Sequence, residues 1–176
     1  VEKYTADEIK TPIGRAKGHV SKIIESTQQA GDRIRTTRDD AYARSFESIA
    51  RRLSGEAVRL VDDILRTALE GLQHLEEAET AASGIKNSDD PTVLATRCGA
   101  VAEPADHAHR CFSGCWSMLY RLRDEIGQAL RGGRPEQILA ALSEATSASN
   151  EANTEATRAA VRAAVMAGTA AQMGYE

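Results

Sequence analysis

Aromatic side chains are scarce in this sequence. Two Phe, four Tyr and one Trp make up 4% of it, against a hydrophobic content of 41%. The apolar content is therefore largely aliphatic, with alanine prominent, and an alanine buries little area. A core of this kind needs many close helix contacts rather than a few large anchors. Long apolar runs are missing as well. None approaches the roughly 18 residues of a membrane span, so no span is expected. The opening VEKYTADEIK has no basic segment followed by an apolar one, so no signal peptide is expected within it. A basic excess is also absent, and the net charge of −4 argues against a nucleic-acid partner. Three cysteines, an odd number, fit a reducing compartment better than a disulfide framework, and the expected location is the cytoplasm.

Catalytic signatures are missing too. The chain has no glycine-rich phosphate loop after a strand, no HExxH and no GxSxG, and without ExxH a di-iron bundle has no support. Acidic pairs occur at Asp39-Asp40, Asp62-Asp63, Glu76-Glu77, Asp89-Asp90 and Asp124-Glu125. They fall on polar helix faces or in loops, where they read as solvated charge. Enzyme activity is not expected, and no cofactor is implied.

What the sequence does have is helical periodicity. Ile13, Ala16, Val20, Ile23 and Ile24 recur at steps that share one helix face, after a start at Thr11-Pro12. Thr5 and Glu8 read as an earlier capping box. From Phe46 to Ile85 a single seam advances by three or four residues at a time, through Leu53, Ala57, Leu60, Ile64, Ala68, Leu72, Leu75, Ala78 and Ala82. As one rod, 40–84 would be ~65 Å long. A compact globule of this chain length is only about 40 Å across. Either the rod breaks, at Ser54-Gly55, or the molecule is elongated; the seam keeps its phase, which favours the rod. Asp90-Pro91 starts another helix, with a kink expected at Pro104, and Pro135 starts the last. The expected spans are 12–34, 40–84, 91–131 and 135–172. Together they predict a single domain, 1–176, of all-α class: an elongated, roughly antiparallel bundle of four main helices with coiled-coil-like packing.

Two stretches invite a functional reading. In ADHAHRCFSGCW, residues 105–116, a helix puts His107, Cys111 and Cys115 at i, i+4 and i+8, nominally on one face. These are metal-ligand residue types, and a metal-binding bundle is one alternative function. Zinc would want a fourth ligand, for which Cys98, His74 and His19 are the candidates. The plainer reading is a core helix, because cysteine behaves as a small hydrophobe and the face continues into Met118, Leu119 and Leu122. His109 is expected to project elsewhere, into solvent. The second stretch is the arginine-rich segment Arg33, Arg35, Arg38, Arg44, Arg51 and Arg52. Interleaved acids make exposed ion pairs its simplest role.

Tyr120 and Asp124 in YRLRD, and Tyr4 and Glu8 in YTADE, match the YxxxD/E pattern. In this the chain resembles substrates of actinobacterial type VII secretion, which are long helical hairpins. That resemblance implies export without a cleaved signal peptide. The WxG turn of such substrates is not matched, since Trp116 is followed by Ser117 and Met118. A coat on a lipid or granule surface, through amphipathic helices, is a further rival.

The leading expectation is a non-catalytic helical interaction or structural protein. It would present packing faces to a protein partner or to another copy of itself, as a homo-oligomer. The expected faces are Val61, Leu65 and Leu69 beside the main seam, and the small-residue seam of the last helix, Ala145, Ala152, Ala156 and Ala163.

Overall fold

The computed structural model describes residues 6–86 and 88–174. In chain order the elements are α1 (Asp7–Ala43), α2 (Glu47–Arg52), a π-helical turn (Leu53–Ala57), α3 (Val58–Ser83), α4 (Pro91–Ala129) and α5 (Glu136–Gly174). Among the described residues there is no strand. The segment from α2 through the π turn to α3 acts as one rod, so four rods make the fold. Each rod packs on two others, α1 on α3, α3 on α4, α4 on α5 and α5 back on α1, which closes an up-down-up-down ring. At 37 to 39 residues, α1, α4 and α5 are each ~57 Å long. The bundle is elongated, and no helix among the described residues is long and apolar enough to cross a membrane.

The boundaries differ from expectation at the first hairpin. α1 begins at Asp7, before Pro12, and continues through the polar stretch to Ala43. Ile34 and Ala41 are buried and keep that stretch attached to the bundle. Its charges pair locally: Arg35 reaches Asp32 and Asp62, and Arg38 reaches Asp39. The chain reverses at Arg44–Phe46. The Phe46 N–H bonds the Ala41 carbonyl and the Ser45 N–H bonds the Tyr42 carbonyl, with Ser45 at φ 61°. That is a Schellman closure with serine where glycine is usual. Thr5, half of the expected capping box, lies outside the described residues.

The expected alternatives for the long rod both hold in part. The rod runs from Glu47 to Ser83, and its one irregularity falls at Ser54-Gly55, where Gly55 takes ψ −110° within the π turn. α4 is a single helix through Pro104. Proline has no N–H, so one i→i−4 bond is missing there.

The core has two parts. The larger joins Leu53, Ile64, Leu75, Phe112, Leu119, Leu122, Ile126 and Leu142, with Val20, Ile23 and Ile34 of α1. The smaller lies at the other end of the bundle, where Ile9, Ile13, Val101 and Met166 are filled in by Ala78, Ala82, Ala105, Ala159 and Ala163. α5 contributes an almost purely small-residue seam to both, which lets it lie close to α1 and α4. This corrects the expected interaction faces. Val61, Ala145, Ala152, Ala156 and Ala163 are all buried inside the chain's own bundle, so they are not open to a partner. Leu65 is half-buried against the core, and only Leu69 stands out, at 55% exposure.

Candidate functional site

The His/Cys face of α4 forms from its rotation. Four residues turn an α-helix by ~40° more than a full circle, so eight residues turn the face by ~80°. His107 is accordingly exposed, Cys111 half-buried and Cys115 fully buried. They do not converge on one point. The Cys115 thiol donates to the Ile64 carbonyl at 3.7 Å, across the α3–α4 contact. Cys111 lies against Gly71 beside the ring of Phe112, which fills the space where a side chain at 71 would be.

One of the proposed fourth ligands does reach this face. The rings of His74 and His107 meet edge to face, with centroids 5.2 Å apart. The His74 Nδ1 is buried without a hydrogen-bond partner, and the nearest carboxylate oxygen, on Glu77, is 3.5 Å away. The others are elsewhere. Cys98 is buried in the smaller core, and His19 pairs with Glu151 at 3.0 Å across α1 and α5. Among the described residues, no group of three or more His, Cys, Asp or Glu side chains is arranged to hold a metal ion. The thiols are also poor nucleophiles. Burial pushes the Cys98 and Cys111 thiols up, and pushes Cys115 up to about 12. His109, expected in solvent, instead points at α5, where its Nδ1 meets Asn153 and, at 3.1 Å, the hydroxyl of Thr157.

Most of the arginine-rich segment is engaged within the bundle. Arg33 bonds Gln137, Arg51 pairs with Glu47, and Arg52 holds Glu125 at 2.7 Å and Gln128 at 2.9 Å. Arg52 thereby ties the α2 end of the rod to α4.

Exposed apolar side chains lie at Tyr42 and Phe46 beside the first turn, at Leu69 of α3, and along the outer sides of α4 and α5. Trp116 and Tyr120 stack on each other on α4, with ring centroids 5.8 Å apart, and are 43% and 60% exposed. They sit on the α5 flank, since Tyr120, Arg123 and Asp124 share a depression with Leu139 of α5. Further along α5, Val161 and Val165 are exposed and line a groove of about 810 Å³ against α1. Its other walls are Asp7, Glu8, Thr11, Pro12 and Arg15 of α1, with Thr157, Arg158 and Arg162 of α5.

α5 has a second seam, on the side opposite its core seam. Ser143, Ser147, Asn150, Thr154, Thr157, Val161, Ala164 and Gly168 follow one another at alternating steps of four and three. All eight lie on the outer side of α5, exposed or half-buried, and none is charged. Between Ser143 and Gly168 the charges of that side are confined to its α1 edge: Glu144 and Glu151 on the first half, Arg158 and Arg162 on the second. The signal was readable as a heptad pattern in small residues. A scan for large hydrophobes passes over it.

No family model, curated protein or solved structure matches the chain.

Proposed function

We propose that the chain is a non-catalytic helical interaction protein, whose working surface is the outer α4–α5 wall. The observation that carries this reading is the exposure of Trp116 and Tyr120 on α4 and of Val161 and Val165 on the neighbouring α5, with Tyr42, Phe46 and Leu69 the other large apolar side chains more than half exposed among the described residues. Exposed apolar side chains rimmed by charge mark surfaces where protein partners bind. An uncharged seam at heptad spacing is the form of surface that accepts another helix. The occupant is a helical partner or a second copy of the chain. The proposal moves the expected interface from the buried alanines to the residues one helix face away, and Leu69 of α3 stays outside it.

The test is photo-crosslinking in cells, with p-benzoylphenylalanine at Val161, at Trp116 and, as a control face, at Leu69. Adducts from the first two positions and few from the third support the reading. Equal yields from all three, or none, refute it.

A second reading rests on Tyr120. Its ring is exposed and it shares a depression with Asp124, so the YxxxD pair is accessible to a secretion receptor. Tyr120→Ala would then abolish export while leaving the helical spectrum unchanged.

A further inference from the structure

The outer seam of α5 reads the same way in both directions, and the geometry points to a second copy of this chain as its occupant, packed antiparallel about a two-fold axis. This rests on the reading of the α4–α5 wall as an interaction surface.

In an antiparallel pair of helices with a heptad seam, the layers of one helix meet the layers of the other in reverse order. Setting Thr154 against Thr157 of the second copy aligns every layer. Asn150 then meets Val161, Ser147 meets Ala164 and Ser143 meets Gly168, each twice by symmetry. Seven of the eight seam residues are small or short and polar, so the two backbones can approach closely. The bulkier Val161 falls opposite the short Asn150.

Charge selects this arrangement over the parallel one. Glu151 and Arg158 sit seven residues apart on the same edge, at 58% and 61% side-chain exposure. A two-fold axis across the seam keeps the two α1 edges on the same side. Glu151 of each copy then comes within about one helical half-turn of Arg158 of the other, a distance both side chains can span. Within one chain these groups are held by His19 and Glu155, respectively, so the pairing adds an opposite charge to each existing pair. A parallel two-fold pair would put the two α1 edges on opposite sides of the seam, against the uncharged Thr146, Asn153 and Ala160 edge, where neither Glu151 nor Arg158 gains an opposite charge.

The aromatic pair joins the same interface. His109 faces Asn153 and Asp124 faces Leu139, which places Trp116 and Tyr120 beside the Ser143–Ser147 part of α5. The antiparallel register lays them against the Val161–Gly168 half of the other copy, where Ala164 and Gly168 leave room. A seam of 26 residues is ~39 Å long. With a helix width of ~10–12 Å and the two flanking aromatics, it approaches the roughly 600 Å² per partner at the low end of stable interfaces.

The experiment is sedimentation velocity of the purified full chain at about 100 µM, well above a micromolar dissociation constant. Wild type is expected at twice the chain mass of 18.9 kDa. Glu151→Arg and Arg158→Glu are each expected to weaken the pair at least tenfold, because each sets like charges together at both ends. An equimolar mixture of the two variants restores opposite charges at both contacts and is expected to give a heterodimer. That recovery also shows that each variant is folded. A wild-type chain of single mass overturns the inference, as does a dimer indifferent to both reversals or a mixture that fails to recover. If wild type is a single chain while Val161 still crosslinks to a different protein in cells, the self-pairing falls and the interaction reading stands. If neither is seen, both fall.

Discussion

Gly71→Ala puts the packing of α3 on α4 to a quantitative test. In an ordinary helix interior this change stabilises by ~1 kcal/mol, because glycine loses more backbone freedom on folding. Here the new Cβ would lie 2.5 Å and 2.8 Å from two carbons of the Phe112 ring and 3.2 Å from Cys111 Cβ. Phe112 is the largest fully buried side chain and is enclosed on all sides, so the ring cannot swing away. Overpacking of this kind costs ~1–3 kcal/mol. The clash cancels or outweighs the propensity gain, and a net loss of up to about 2 kcal/mol follows, or as much as roughly 4–8 °C in Tm for a chain of this length. Gly14→Ala is the internal control. Nothing lies within 4 Å of its new Cβ, so the same chemical change should stabilise by about 0.5–1 kcal/mol. Urea unfolding followed by circular dichroism at 222 nm gives both values. In a Phe112→Leu background the Gly71→Ala penalty should shrink, which assigns it to the ring. A Gly71→Ala chain as stable as Gly14→Ala would refute the α3–α4 packing described here.

Other consequences are equally direct. Thr27 is fully buried and its hydroxyl has no hydrogen-bond partner, unlike those of Thr36 and Thr37, which bond the carbonyl four residues back. Thr27→Val should therefore raise stability by about 1 kcal/mol, read as a higher urea midpoint. Ser45 holds φ 61° at the α1 C-terminus, so Ser45→Gly should stabilise by ~1 kcal/mol in the same assay, and a loss would contradict the Schellman closure. Thiol labelling should follow burial, with Cys111 modified before Cys115 under native conditions and all three only when urea unfolds the chain. The raised Cys115 value also sets a pH dependence. Below about pH 9 the thiol is neutral in both states and adds no slope, whereas between about 9 and 12 only the unfolded chain ionises there. Its contribution to stability therefore falls as pH rises, by up to ~1.4 kcal/mol per unit, which urea midpoints above pH 9 would show.

The helices themselves were legible because their seams are long. The run from Leu53 to Ala82 is buried as its spacing predicted, with Leu72 half-buried, whereas the alanines of α5, expected as an interaction face, are buried within the bundle. The first turn was not legible, because Arg44-Ser45-Phe46 contains neither glycine nor proline, and the closure is made by backbone bonds that any residue supplies. The polar stretch before it read as a loop, since its helix is held by Ile34, Ala41 and ion pairs to α3 rather than by dense apolar spacing. The π turn left no trace in the pattern. A step of four, Leu53 to Ala57, serves an α or a π turn alike. The His/Cys face follows its plainer reading, a core helix, at Cys115, Leu119 and Leu122. Residues at i, i+4 and i+8 look collinear in a sequence, yet the helix carries them from solvent into the core. The meeting of His74 with His107 depended on which helix lies beside α4, and no local pattern contains that. The interaction seam was sought where small residues are most regular. Regularity of that kind marks the inner face as well as the outer, and only burial separates the two.

The unequal division of the core has a mechanical consequence. One end of the bundle is weighted with Phe112, Leu119, Leu122 and Ile126, while at the other, half of the buried core residues are alanine. Removing a layer of alanines from water contributes far less than removing a layer of leucines. The molecule is thus built like a pair of tongs, clamped at the Phe46 end and lightly closed at the other. Amide exchange should be slowest in the clamped half and graded toward the tips. The groove beside Val161 and Val165 lies over the tips. Whatever docks there grips the end with the smaller core, and slower amide exchange there on binding would show the tongs closing.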